Sequence, residues 1–517
     1  MSIMLISRTT TFVLLHIVLT ACALSPSFGV KSSPSSSATI LQATLVPTLA
    51  RDLHPIELIT PTLSPNTTNC ENTDNSRNTN YQVLTNLDYA TRTLGVTETI
   101  SYTNHNNETL TDIVINIKPN NVKLESVKIG EDKSKPEFHL AQNRLNIKLI
   151  EPLQNGCTLV IHLDFRIILQ PITERGSDAF EGYLGYSDRQ LNLGQWLPVL
   201  AVRSRNEWIS RQDSHIGEFD VLEIADWDIT LKIQKAPDTV QVAAPGRVEK
   251  LSPTEWHFSL MSARDFSLSI GENYRIHESS STSGVKIEVY SYDDALISSA
   301  NGPIDTAAFA LDTATKSLEM YEDLYGNYPY ERLVVVQGDF PDGMEFSGLV
   351  FVGGDYFRNF SGPDSYLMII TAHEVSHQWW YAQVGNDQAL DPWLDEALAT
   401  YNEYIFIEEY YPELKDWWWN FRVNRLSPDG FVDSTIYDFS KRRAYINAVY
   451  LRGALMFQEL RSVLGTDDFF AWLRRYVETN KNLIIDHDTI WNSLTPEQFV
   501  ATADVRQKYL RGQQIIR

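Results

Sequence analysis

An all-β domain followed by a mixed α+β, mostly helical domain is the fold class this sequence predicts, and two changes of pattern carry that prediction. From Tyr81 to about residue 280 the chain runs in short segments of alternating hydrophobicity. Examples are "YQVLTNLDYATRTLGVTETISYTN", "LTDIVINIKP", "RLNIKLIEPL", "GCTLVIHLDFRIIL", "DWDITLKIQK" and "EWHFSLM". Asn-Asn, Gly-Glu-Asp and Asn-Gly turns separate them, and a period of two between such turns marks strands. After Val285 the pattern becomes mixed. "IEVYSY", "RLVVVQG" and "SGLVFVGG" read as strands. "PIDTAAFALDTATKSLEMYEDLYG" reads as a helix, with Pro and acidic residues early and Gly at its end. "YLMIITAHEVSHQWWYAQV" predicts one long apolar-faced helix. Asp391-Pro392 reads as an N-cap with proline at the first helical position, opening "WLDEALATYNEYIFIEEYY". Further helices are expected near residues 445–463 and 466–479. The expected domains are therefore 80–280 (β) and 285–510 (mixed).

The segments before them read as address and tether. Residues 1–22 combine Arg8 with the short apolar run "TTTFVLLHIVLTA", the form of a signal peptide rather than a spanning helix. "LTAC" resembles the lipobox of bacterial lipoproteins, which implies a lipid anchor on Cys22 and an extracytoplasmic place on a membrane surface. Residues 23–79 are rich in Ser, Thr, Pro and Asn and cannot bury enough apolar surface to offset ordering, so a disordered tether is expected. Cys70 and Cys157 remain, either bonded to each other or as two thiols. At 517 residues and 43% hydrophobic, the chain is long enough for more than one core. A formal net charge of -23 disfavours nucleic acid as a partner.

"TAHEVSHQWW" (371–380) holds the candidate chemistry. His373 and His377, four apart on a helix, can offer nitrogens to one Zn²⁺. Glu374, rotated by about 100°, is placed to act as a base rather than as a third ligand. Alone, the pentad also fits a buried helix whose histidines bond to backbone or carboxylate. Glu396, 18 residues after His377 in "PWLDEALATY", offers the third ligand of an open catalytic site.

HExxH, 18 residues and then Glu within W-L-x-E resembles the gluzincin metallopeptidases, and more narrowly the aminopeptidase N family. "DGMEFSGLVF" (342–351) resembles that family's G-x-M-E-N exopeptidase motif, and "VYLRGALMF" (449–457) its V-Y-x-K-G-A segment. The resemblance covers roughly residues 80–500 and implies a thermolysin-like catalytic domain. It implies one Zn²⁺ per chain on His373, His377 and Glu396, with Glu374 as base toward a zinc-bound water and Tyr450 as oxyanion donor. Glu345 would meet the free α-amine of a peptide, and Gly343 and Met344 would pair with its backbone. A zinc aminopeptidase acting on peptides with a free N-terminus is the expected function. A gluzincin endopeptidase or other hydrolase with relaxed amine recognition is the alternative, and a non-catalytic surface lipoprotein a third reading. Two departures stand out: Asp342 replaces the motif's first Gly, and Phe346 its Asn. Gln195 is the candidate for the family's second amine contact, and Asp395 and Thr400 are candidate acceptors behind the zinc histidines.

Overall fold

The computed structural model describes residues 68–69, 78–118, 122–172 and 182–512. The expected signal peptide, with Cys22, lies outside the described residues. So does the expected tether, except for Thr68–Asn69 and residues 78–79. The first pair is a short strand bonded antiparallel to Leu159 and Thr158, and Thr79 already opens a long strand. Cys157 is buried and disulfide-bonded, while Cys70 is outside the described residues.

The first domain is β throughout. Strands β1 (Thr79–Asp88), β2 (Thr93–Thr103), β3 (Thr158–Ile168), β4 (Ala225–Gln234) and β5 (Glu255–Ala263) form the body of an eight-stranded sheet, ordered β3-β2-β1-β4-β5. All neighbours are antiparallel except β1 and β4. Alternate residues of β2 and β3 are buried, which is the period read from the sequence. Two four-stranded sheets and a short hairpin pairing Arg203–Ser204 with Glu207–Trp208 accompany it among the described residues.

The second sheet has five strands. β6 (Arg275–Ser280), β7 (Lys286–Ser291), β8 (Arg332–Gly338), β9 (Gly343–Met344) and β10 (Leu349–Gly353) are ordered β6-β7-β8-β10-β9. The expected boundary at residue 280 is thereby corrected: β6 pairs with β7 over six residues and belongs to the second sheet. A hairpin cannot be divided between domains without leaving its backbone groups unpaired. The two-residue β9 is the outer edge of this sheet.

Helix α1 (Thr306–Tyr325) packs against α2 (Tyr366–Ser376) and holds it to α3 (Trp393–Tyr410). The Tyr321 hydroxyl reaches the carbonyls of Ala372 and Asn402 at 3.1 and 3.2 Å, and Tyr325 donates to Asn402 Oδ1 at 2.6 Å. α2 ends at Ser376, shorter than the continuous helix expected to about Val384. Trp379 and Trp380 turn into the aromatic cluster of Tyr321, Tyr325 and Tyr476, and Tyr381 takes a φ of 130°. Burying two indoles outweighs a further turn of helix. α4 (Arg442–Tyr445), a π-helical turn (Ile446–Leu451), α5 (Arg452–Leu464) and α6 (Thr466–Asn480) follow. No helix among the described residues is long and apolar enough to cross a membrane.

Arg264 and Asp265, at the end of β5, join the domains. Arg264 is buried and donates to the carbonyls of Leu222, Gln383 and Leu483. Asp265 accepts from the Tyr381 hydroxyl at 2.6 Å and from the Ser347 amide at 3.2 Å. Burial pushes the Asp265 carboxyl up to about 7. These contacts tie the loop after β9 to the segment after α2, so the β domain helps set the distance between them.

Candidate active site

α2 and α3 bring His373, His377 and Glu396 together. One Glu396 oxygen, Oε2, lies 3.3 Å from His373 Nε2 and 3.6 Å from His377 Nε2. All three side chains are buried. The opposite nitrogens are already committed: His373 Nδ1 lies 3.0 Å from Glu403 Oε1, and His377 Nδ1 lies 3.0 Å from the Trp380 carbonyl. A carboxylate and a carbonyl only accept, so both Nδ1 atoms carry a proton and both Nε2 atoms are left to face Glu396. Two Nε2 atoms and a carboxylate oxygen converging in a buried place call for a cation. Two neutral imidazoles and one carboxylate are the donor set of an open zinc site. The same convergence acts on protons. Burial pushes the His373 imidazolium down, but Glu396 and Glu403 outweigh it and hold it up at about 9. Asp395 and Thr400, candidates either as acceptors behind the histidines or for ordinary helix roles, take the helix roles. Asp395 Oδ1 takes the Glu396 amide at 2.7 Å, and the Thr400 hydroxyl donates to the Glu396 carbonyl. Both serve helix α3, and Glu403, one turn further on, faces the histidine.

Glu374 is buried, its Oε2 has no hydrogen-bond partner, and burial pushes its carboxyl up to about 8. Its other oxygen presses on β9: a Cβ at position 343 would lie 2.0 Å from Glu374 Oε1. Gly343 is therefore where the base and the strand edge touch. Met344 is buried in the core behind it.

Tyr450 lies on the π-helical turn, its ring parallel to His373 at 2° with centroids 6.2 Å apart. Burial raises its hydroxyl well above the ordinary range, which keeps the phenol a donor. Single π turns are frequent where a helix must aim one side chain. Tyr445 packs edge-on against Tyr450 at 5.5 Å.

Glu345 is buried and accepts from Gln388 Nε2 at 3.3 Å. The candidate Gln195 makes its hydrogen bonds to other groups. Gln195 is committed to Asp220, to Lys118 at 3.1 Å and to the Tyr183 hydroxyl at 3.0 Å. Glu218 stands there instead: carboxylate oxygens of Glu218, Glu345 and Glu396 lie within 4.8 Å of one another. Burial, then Glu345 and Glu396, raises the Glu218 carboxyl well above the usual range. Gly217 lets this loop approach, since a Cβ there would lie 2.8 Å from the Tyr445 hydroxyl. The sequence held no signal for Glu218, which lies in an irregular loop far from every motif. The departure at Phe346 is structural: its ring packs on Tyr183 and Phe351, and a Cβ at Gly194 would lie 2.5 Å from it.

Residues 309–509 match the family model described as the peptidase family M1 domain. The stretch contains all three zinc-site residues, Glu374 and Tyr450. Mouse endoplasmic reticulum aminopeptidase 1 is 30% identical over 229 residues, 41% of this chain and 24% of that protein. Aminopeptidase M1-B of Oryza sativa subsp. japonica is 26% identical over 252 residues, 46% and 28% respectively. The match thus spans about a quarter of the length of these curated relatives. The M1 zinc metallopeptidase of Deinococcus radiodurans superposes with a TM-score of 0.62 at 16% identity, covering 86% of this chain and 96% of that one. A mutant of that protein bound to a Tyr-Ser-Ala substrate gives 0.60 at 17%, covering 85% and 96%. These two likenesses extend the common fold from the M1 domain through the β domain.

Proposed function

We propose that this chain is a zinc-dependent aminopeptidase that removes N-terminal residues from peptides. The observation that carries the reading is the pair Glu345 and Glu218 beside His373, His377 and Glu396. Zinc held by those three residues would supply Lewis acidity to the scissile carbonyl and the attacking water. Glu374, whose Oε2 has no other partner, takes the proton of the attacking water and returns it to the leaving amine. The Tyr450 hydroxyl donates to the oxygen on which negative charge develops. The free edge of β9 pairs with the substrate backbone as an added strand. Two carboxylates forced together by burial are stabilised by a cation between them, and an α-ammonium group is that cation. A blocked N-terminus would leave both unsatisfied, which favours exopeptidase over endopeptidase action. The names of the curated relatives and the peptide bound in the Deinococcus neighbour agree with this substrate class.

Hydrolysis of leucyl-p-nitroanilide, lost with chelator and regained with zinc, tests the reading. Cleavage confined to N-acetylated peptides would overturn it in favour of an endopeptidase. We also propose kinship with aminopeptidase N and a lipid anchor on Cys22 that holds the enzyme at an extracytoplasmic membrane surface. The anchor rests on "LTAC" alone, and labelling with a radioactive fatty acid, abolished by Cys22→Ala, tests it.

A further inference from the structure

We propose that Arg442 reads the C-terminal carboxylate of short peptides, which makes di- and tripeptides the preferred substrates of this site. The inference rests on the aminopeptidase reading and adds the far end of the substrate to it. β9 gives the direction. Glu345 marks the amine end, and Gly343, two residues back, touches Glu374 at the position of bond cleavage. Asp342 is one residue further, on the leaving-group side. Even fully extended, Glu345 to Asp342 would span at most about 10 Å, the length of a tripeptide.

Asp342 is where the chain departs from the motif, and it carries strain. Its φ is 66°, a region that favours glycine. Two contacts hold it there: the Tyr356 hydroxyl donates to Oδ1 at 2.8 Å, and Arg442 reaches Oδ2 at 3.0 Å. Arg442 opens α4, the helix that leads into the π turn with Tyr450, so the ion pair crosses from strand edge to helix at this end of the site. The Arg442 side chain is 34% exposed, and its Nη2 makes the contact to Asp342. A guanidinium presents five donors in a fork that matches a carboxylate, more than the one contact to Asp342 uses. The rest of the site is acidic: Glu218, Glu345, Glu374, Asp395 and Glu396. A peptide's own carboxylate would be repelled there without a cation at its end of the site. Asp342 then acts as a placeholder that orients Arg442 and shares it with the incoming group.

The test compares Leu-Gly-Gly with its C-terminal amide, using leucyl-p-nitroanilide as a substrate without a carboxylate. Wild type is expected to favour the free acid over the amide by about tenfold in kcat/KM, mainly through KM. Arg442→Gln should collapse that ratio toward one, and Arg442→Lys should restore part of it. Asp342→Asn should move it the opposite way by releasing the guanidinium, which separates recognition from misfolding. A ratio near one in wild type, or equal in wild type and Arg442→Gln, would overturn the proposal while anilide hydrolysis persists. Loss of anilide hydrolysis in wild type would instead overturn the aminopeptidase reading, and this proposal with it.

Discussion

His373 Nδ1 donates to Glu403 Oε1 at 3.0 Å, and that carboxylate is held from behind by three further donors. Arg422 contacts both oxygens at 2.8 and 2.9 Å, and Trp418 Nε1 donates at 3.0 Å. Burial would push the Glu403 carboxyl up, but Arg422 and His373 outweigh it and keep it ionised. The buried acceptor thus fixes the tautomer that presents Nε2 to the centre of the site.

Glu403→Ala removes that anchor and strands Arg422 without a partner. Zinc affinity should fall by about 10–100-fold, measured by competition with a chromophoric chelator. Unchanged affinity would mean that His373 is oriented by packing alone.

Glu374→Ala should retain zinc while kcat falls by about 100-fold or more, because it deletes a base and no ligand. Gly343→Ala should lower kcat for a related reason. Its methyl group would occupy the place of Glu374 Oε1, so either β9 or the base must move. Metal analysis beside steady-state kinetics separates both variants from ligand loss.

Glu218→Gln should raise KM for free-amine substrates by about tenfold and leave kcat nearly intact, since the charge it removes faces the α-ammonium rather than the reacting carbonyl. Glu345→Ala should act in the same direction. An equal rise for N-blocked peptides would exclude amine recognition at either position.

Glu98 on β2 is buried, neither of its oxygens has a hydrogen-bond partner, and burial raises its carboxyl well above the ordinary 4.5. A raised acid favours the folded state most below its unfolded pKa, and that contribution is lost as pH rises through the folded value. Glu98→Leu should therefore stabilise the fold by about 1–3 kcal/mol, with a gain larger at pH 8 than at pH 5. Thermal melts across that range check it, and a pH-independent difference would contradict it.

Sequence periodicity foresaw the strands of the β domain because their burial alternates along β2 and β3. It overran the end of α2 because no glycine or proline stops that helix. Trp379 and Trp380 stop it by packing on tyrosines from α1 and α6. The division at residue 280 missed because β6 resembles its predecessors locally, and only its pairing with β7 assigns it.

The sequence by itself determined the set His373, His377 and Glu396 and the place of Glu374 beside it. Spacing on a helix is local geometry: residues four apart share a face wherever the helix lies. Tertiary structure alone decided what surrounds them. Glu218, Glu403, Gln388 and Arg442 come from separate loops and helices, and no local period announces a contact between segments distant in the chain. The physical reason is that ligand spacing is written along one backbone. Charge balance, tautomer and the reach of the cleft arise where several backbones meet.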